Sequence, residues 1–97
     1  MTNSDTVASD IAREFRQRRI EKNLTRSQIA EKAGVALPSV ARFEQKGLIS
    51  LQSLIKLAMA LGYTSEMRHI FSERKYATME ELEQIKRNQS KKKATGK

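Results

Sequence analysis

Apolar residues recur at helical spacing through most of the chain, and no stretch alternates with the period of two that a half-buried strand requires. In IAREFRQRRIEKN, Ile11 and Phe15 lie on neighbouring turns with Arg18 or Arg19, and the opposite face is heavily basic. The spacing predicts an amphipathic helix from Asp10, with Asp10 as N-cap and Glu14 in the early turns. TRSQIAEKAG predicts a second helix: Thr25 is its N-cap, Gln28 completes a capping box, and Ile29, Ala30 and Ala33 form its buried stripe. Gly34 would end that helix as a left-handed C-cap. A third helix contains Val40 and Phe43 and stops near Gly47. Ser50 opens a fourth, with a stripe of Leu51, Leu54, Ile55, Ala58 and Leu61 closed by Gly62. A shorter helix is expected in SEMRHIF, and TMEELEQIKRN offers a sixth, with Thr78 and Glu81 as capping box and acids early, bases late.

The expected fold class is therefore all-α: five short helices over residues 10–71, then a C-terminal helical extension over 72–89. Residues 1–9 are polar and expected to be loose. The lysine-rich end, residues 90–97, has too few apolar groups to join a core and is expected to be a disordered basic tail.

The single proline sharpens the third helix. Inside a helix Pro38 would cost about 3 kcal/mol or more, whereas in the first turn its fixed φ and missing N–H fit. No Ser or Thr cap precedes it, only Ala36 and Leu37. Pro38 is accordingly expected at the first helical position, with Leu37 extended before it, so that it starts the helix and does not break it.

Between Arg26 and Gln45 the residues meet a specific geometric need. Two helices crossing steeply through a tight turn require a small residue at their contact, which Ala30 supplies, and a residue tolerant of positive φ, which Gly34 supplies. Ile29, Val35, Val40 and Phe43 face the core from both sides. This spacing is the helix-turn-helix pattern.

Charge changes what such a unit would meet. The 97 residues carry 19 Lys and Arg against 11 Asp and Glu, a net charge of +8. That balance implies a polyanionic partner, nucleic acid before a membrane surface. The longest apolar-rich run, LIKLAMAL, is far too short to span a membrane. There is no cysteine, so disulfide and thiol chemistry are excluded. His69 stands alone without clustered carboxylates, and Met59, Met67 and Met79 read as packing residues. No phosphate loop or nucleophile motif occurs, so no metal, no cofactor and no enzymatic activity are expected. MTNSDTVASD lacks a basic segment followed by an apolar run, so no secretory signal is expected, and the expected location is cytoplasmic and nucleoid-associated.

With Ala30, Gly34, Val40 and Phe43 so spaced, the chain resembles the DNA-binding domains of the lambdoid-phage repressor and Cro class, the Xre family. The resemblance implies a five-helix domain over 10–71 whose third helix enters the major groove of double-stranded DNA. It implies a salt bridge between Arg19 and Glu44, phosphate contacts from Arg26 and Ser27, and further phosphate contacts from Gln45 and Lys46. Base contacts would come from Leu37, Pro38, Ser39 and Arg42, with Ala41 nearby. Arg42 can bind guanine O6 and N7 with two hydrogen bonds, or take a phosphate or a helical neighbour near Glu44. Ser39 would be weakly selective, and Leu37 and Ala41 could pack on thymine methyls.

One such module reads few base pairs, so a homodimeric repressor on a palindromic operator is expected. Tyr63, Met67, Ile70 and Phe71 would form the dimer surface, or else close the core. The run ISLQSLIKLAMALGYTSEMRHIF, followed by TMEELEQIKR, also resembles short regulators found with HipA-type kinase toxins. That resemblance implies autoregulation within a toxin–antitoxin system and a toxin partner docking on the extension from Thr78, although KKKATGK would serve equally for nonspecific phosphate contacts. The rival readings are a protein-interaction adaptor that touches nucleic acid nonspecifically and a phage-type lysogeny regulator. An RNA-binding role is disfavoured by the lack of aromatics for base stacking.

Overall fold

The structure is a computed structural model that describes residues 2–94, with side chains described through Ser90. It contains α1 (Ser4–Glu21), α2 (Arg26–Ala33), α3 (Leu37–Lys46), α4 (Leu51–Ala60), α5 (Thr64–Arg68) and α6 (Met79–Ala94). Among the described residues there is no strand, and the fold is all-α as expected. Among the described residues no helix is long and apolar enough to cross a membrane.

The first helix begins earlier than its sequence suggests. Asn3 is its N-cap and accepts the Thr6 N–H at 2.9 Å, so residues 4–9 are helical, not loose. Asp10 lies inside the helix and pairs with Arg13 at 3.0 Å. A contact distant in sequence accounts for the extra length. Ala8 lies against Gly47, so closely that a Cβ on Gly47 would meet Ala8 at 3.3 Å.

Entry into α3 also differs by one residue from expectation. Ala36 is the N-cap, extended at φ −63° and ψ 138°, with no side-chain cap bond. Leu37 is already helical and Pro38 follows it. The proline is tolerated there because the amides of the first turn have no partner within the helix. The Ala36 carbonyl accepts from both Ser39 and Val40, which closes the turn without a capping side chain.

The core gathers Ala12 and Phe15 from α1, Ile29 and Ala30 from α2, Val35 from the turn, Val40 and Phe43 from α3, and Leu57 and Leu61 from α4 and its end. Phe15 and Phe43 meet with ring centroids 5.3 Å apart and planes tilted by 55°, a favourable arrangement for two quadrupolar rings. On α1 the buried face runs through Ala12 and Arg19, leaving Ile11 exposed. Of the stripe expected on α4, Leu61 is buried and Leu54 packs against the core; Leu57 joins them fully buried, and Leu51, the first residue of the helix, is 67% exposed.

Beyond the core the chain opens out. Helix α5 ends at Arg68, so Ile70 and Phe71 follow it in turns instead of lying on it. Thr78 accepts the Glu81 N–H at 3.1 Å, and the Glu81 carboxylate accepts from Ala77 at 2.9 Å, fixing the start of α6. Helix α6 continues to Ala94, through positions expected to be tail; the final residues of that expected tail lie outside the described residues. The radius of gyration is 17.9 Å. A compact chain of this length would have about 12.5 Å, so α6 stands away from the five-helix core.

Gly34 and Gly47 both have positive φ, 71° and 70°, but only Gly47 is crowded. Alanine in a left-handed conformation costs roughly 1–2 kcal/mol. Gly34→Ala should lose about that much in urea denaturation, and Gly47→Ala measurably more. Equal losses would show that the Ala8 contact contributes nothing.

Candidate nucleic-acid interface

The turn joining α2 and α3 is built from local chemistry. Thr25 accepts the Gln28 N–H at 3.0 Å, and Gln28 returns the bond by accepting the Thr25 N–H at 2.8 Å. This capping box satisfies the outer donors of α2 and leaves the N–H groups of Arg26 and Ser27 without a protein acceptor among the described residues. Free amides and the positive end of the dipole make that terminus suited to a phosphate. At the other end Gly34 reverses the chain, and the Val35 N–H closes on the Ala30 carbonyl at 2.9 Å. Ala30 is 5% exposed, and its small side chain belongs to the core on which α2 and α3 pack.

An ionic network locks α3 in place. Arg19 donates to Glu44 through Nε at 2.7 Å and through Nη2 at 3.0 Å, and its Nη1 donates to the Leu24 carbonyl at 2.7 Å. Arg26 adds a third bond to the same carboxylate, from Nε at 3.0 Å. Arg16 approaches it at 4.0 Å. The Glu44 side chain is 0% exposed. Burial alone would raise its pKa; the hydrogen bonds from Arg19 and Arg26, with their charges, outweigh that and hold the carboxyl below its ordinary 4.5.

Arg26, expected on a phosphate, has its guanidinium anchored at one edge by Glu44. Only Nε is used, so its two η nitrogens remain without a protein acceptor among the described residues. The Arg16, Arg19 and Arg26 cluster carries more positive charge than one carboxylate neutralises. The resemblance gave the Arg19–Glu44 pair, but nothing in the sequence placed Arg26 on the same carboxylate, because that contact joins residues of two different helices.

The exposed face of α3 has its own order. Pro38, Ala41, Arg42 and Gln45 fall at the spacing of one helix stripe, and with Lys46 and Leu48 they line a shallow groove. Arg42 is exposed and makes no ion pair or side-chain hydrogen bond among the described residues. Leu37, 44% exposed, and half-buried Ser39 flank the stripe. The geometry thus brings Gln45 beside Arg42, where the family resemblance groups it with Lys46 as a phosphate contact. Leu48, 51% exposed in the same groove, was not anticipated.

The expected dimer residues divide. Ile70 and Phe71 are 63% and 93% exposed, Tyr63 is just exposed, and Met67 is half-buried.

A helix carried across a second one, its outer face uncommitted and basic groups at both ends, defines a helix-turn-helix module. The family model HTH_3, described as Helix-turn-helix, matches residues 15–67, from Phe15 in α1 to Met67 in α5. That span is more than half of the chain, and the chain belongs to this helix-turn-helix family of DNA-binding regulators, of the Xre and lambda-repressor type. No curated protein matches it significantly.

Removing one partner from a buried ion pair costs about 3–5 kcal/mol, so Glu44→Ala should destabilise by that order in denaturant titration. The pH dependence has a definite sign. Because the folded carboxyl titrates below 4.5, its stabilisation is complete above that pH and is lost as pH falls through the lower folded value. Melting temperatures of Glu44→Gln should therefore fall less steeply on acidification than those of the parent chain; parallel curves would contradict the assignment.

Proposed function

We propose that the protein is a sequence-specific DNA-binding repressor, acting as a homodimer on a palindromic operator in the cytoplasm. The observation that carries this reading is the exposed, uncommitted Arg42 lying beside Gln45 on the outer stripe of α3. Arg42 is suited to guanine through O6 and N7, and Gln45 to adenine through N6 and N7, each pair worth about 1–3 kcal/mol of discrimination. Pro38, Leu37 and Ala41 offer apolar contact to thymine methyls, and Ser39 a weakly selective bond.

Phosphates on either side would fix the register. The free amides of Arg26 and Ser27 receive one phosphate, with the η nitrogens of Arg26 alongside, and Lys46 receives another. The net charge of +8 supports this electrostatic share. Two modules paired across half-sites one DNA turn apart would supply the affinity one module lacks, with the exposed Ile70 and Phe71 near the two-fold axis. A HipA-type toxin partner is supported by the sequence resemblance alone, and the repressor reading does not depend on it.

Selection of bound duplexes from a random pool should enrich an inverted repeat. On that site Arg42→Ala should lose roughly 10-fold to 100-fold in affinity, corresponding to about 1–3 kcal/mol, and should tolerate any base at one position per half-site. On random DNA it should lose much less. Arg26→Ala should weaken both classes of DNA alike and reduce the slope of log K against log salt by about 0.9. No enrichment, or equal losses for Arg42→Ala on both classes, would contradict the proposal.

A further inference from the structure

Two features remain unused by the DNA-reading face, and each supplies what the other lacks. The first is an open groove at the C-terminal end of α2, the C-terminal half of α4 and the end of α1. Its floor is apolar, formed by Ala33, Met59 and Leu61, and its rim carries Lys22, Lys32 and Lys56. These lysines come from three separate elements, no carboxylate lines the groove, and none of the three is ion-paired among the described residues. Met59 on the floor is 51% exposed. Lys32 lies in the last turn of α2, at the end remote from the free amides of Arg26 and Ser27. A phosphate backbone would use the lysines but has no use for the apolar floor.

The second feature is α6. Met79, Leu82 and Ile85 repeat at a spacing of three and form a narrow apolar stripe, with Met79 69% exposed and Leu82 and Ile85 half-buried. Glu83 borders the stripe on one side and Glu81 on the other, Glu80 lies on the opposite face, and the bases begin only at Lys86. The first half of the helix is thus an acidic amphipathic segment. It stands off its own core, and none of its residues lines the lysine groove.

We infer that the acidic half of α6 docks in the lysine-rimmed groove of a second copy of this chain, so that two chains exchange their C-terminal helices. Charge complementarity selects this occupant: an apolar stripe edged by glutamates meets an apolar floor edged by lysines. The exchange is reciprocal, since each chain offers one groove and one helix, which gives a closed two-fold pair. The segment between Ser72 and Thr78 has no regular structure, and about seven residues extended reach roughly 23 Å, enough for α6 to leave its own chain. The inference deepens the dimeric reading above and rests on it.

Charge exchange in the full-length protein tests it by sedimentation equilibrium at low salt. The parent chain should be a dimer. Glu83→Lys should be monomeric, and so should Lys32→Glu with Lys56→Glu; Glu81 is left alone because it caps α6. All three positions are exposed, and circular dichroism is to check that each variant is folded. Mixing the two variants should restore the dimer mass, because each helix then meets a groove of opposite charge. Variants that remain dimeric, or a mixture that remains monomeric, would overturn the exchange while leaving a dimer through another surface intact. A monomeric parent chain would overturn both the exchange and the dimer. Loss of DNA affinity on lysine reversal with an unchanged mass would place the groove on DNA instead.

Discussion

The carboxylate of Glu44 joins three helices at once: it lies on α3, accepts two bonds from Arg19 on α1 and a third from Arg26 on α2. Its side chain is wholly enclosed, so the desolvation of charge is large and only good geometry offsets it. A buried ion pair of this kind is weak evidence for stability, because apolar groups of similar volume can serve as well. An apolar substitute could not hold the guanidinium of Arg26 through a hydrogen bond. The network therefore ties the two motif helices to α1 and holds the edge proposed to meet a phosphate in one arrangement. The rest of the interface depends on that arrangement, since it decides which stripe of α3 faces outward.

From there the division of labour among the cations is physical. Arg19 is buried and structural, Arg26 is anchored at Nε with its outer edge open, and Arg42 has no partner among the described residues. An anchored arginine contributes charge at a fixed place, which suits a phosphate present at every site on DNA. An uncommitted one on the groove-facing stripe can seek a base edge. Lys22, Lys32 and Lys56 belong to a third group, distinguished by the apolar floor among them.

Local signals were readable in the sequence, and contacts between distant residues were not. The capping box of Thr25 and Gln28, the left-handed turn at Gly34 and the Ser50 cap all follow from neighbours within a few positions, and each stands where the pattern put it. The start of α1 was missed because polar residues 4–9 are held by Ala8 packing on Gly47, a partner far along the chain. Pro38 sits one place deeper in α3 than expected because Ala36 takes the extended N-cap conformation and Leu37 is already helical. On α4 the expected Leu54 and Leu61 do meet the core, but Leu57 joins them and Leu51 does not, because packing on α2 selects among residues that the periodicity of one helix cannot separate. At the site, the groove-facing position of Gln45 and the tethering of Arg26 emerged only once α3 was seated against α1 and α2.

The central claim is that α3, seated by Glu44, presents its outer stripe to DNA while the α2 terminus receives a phosphate. Backbone amide shifts of the full-length protein, followed by NMR during titration with a selected duplex, test this directly. The account predicts the largest shifts at Ala41, Arg42 and Gln45 and at the N–H groups of Arg26 and Ser27, with Lys32 and Met59 unmoved. Shifts confined to α6, with α3 and the α2 terminus unchanged, would contradict it.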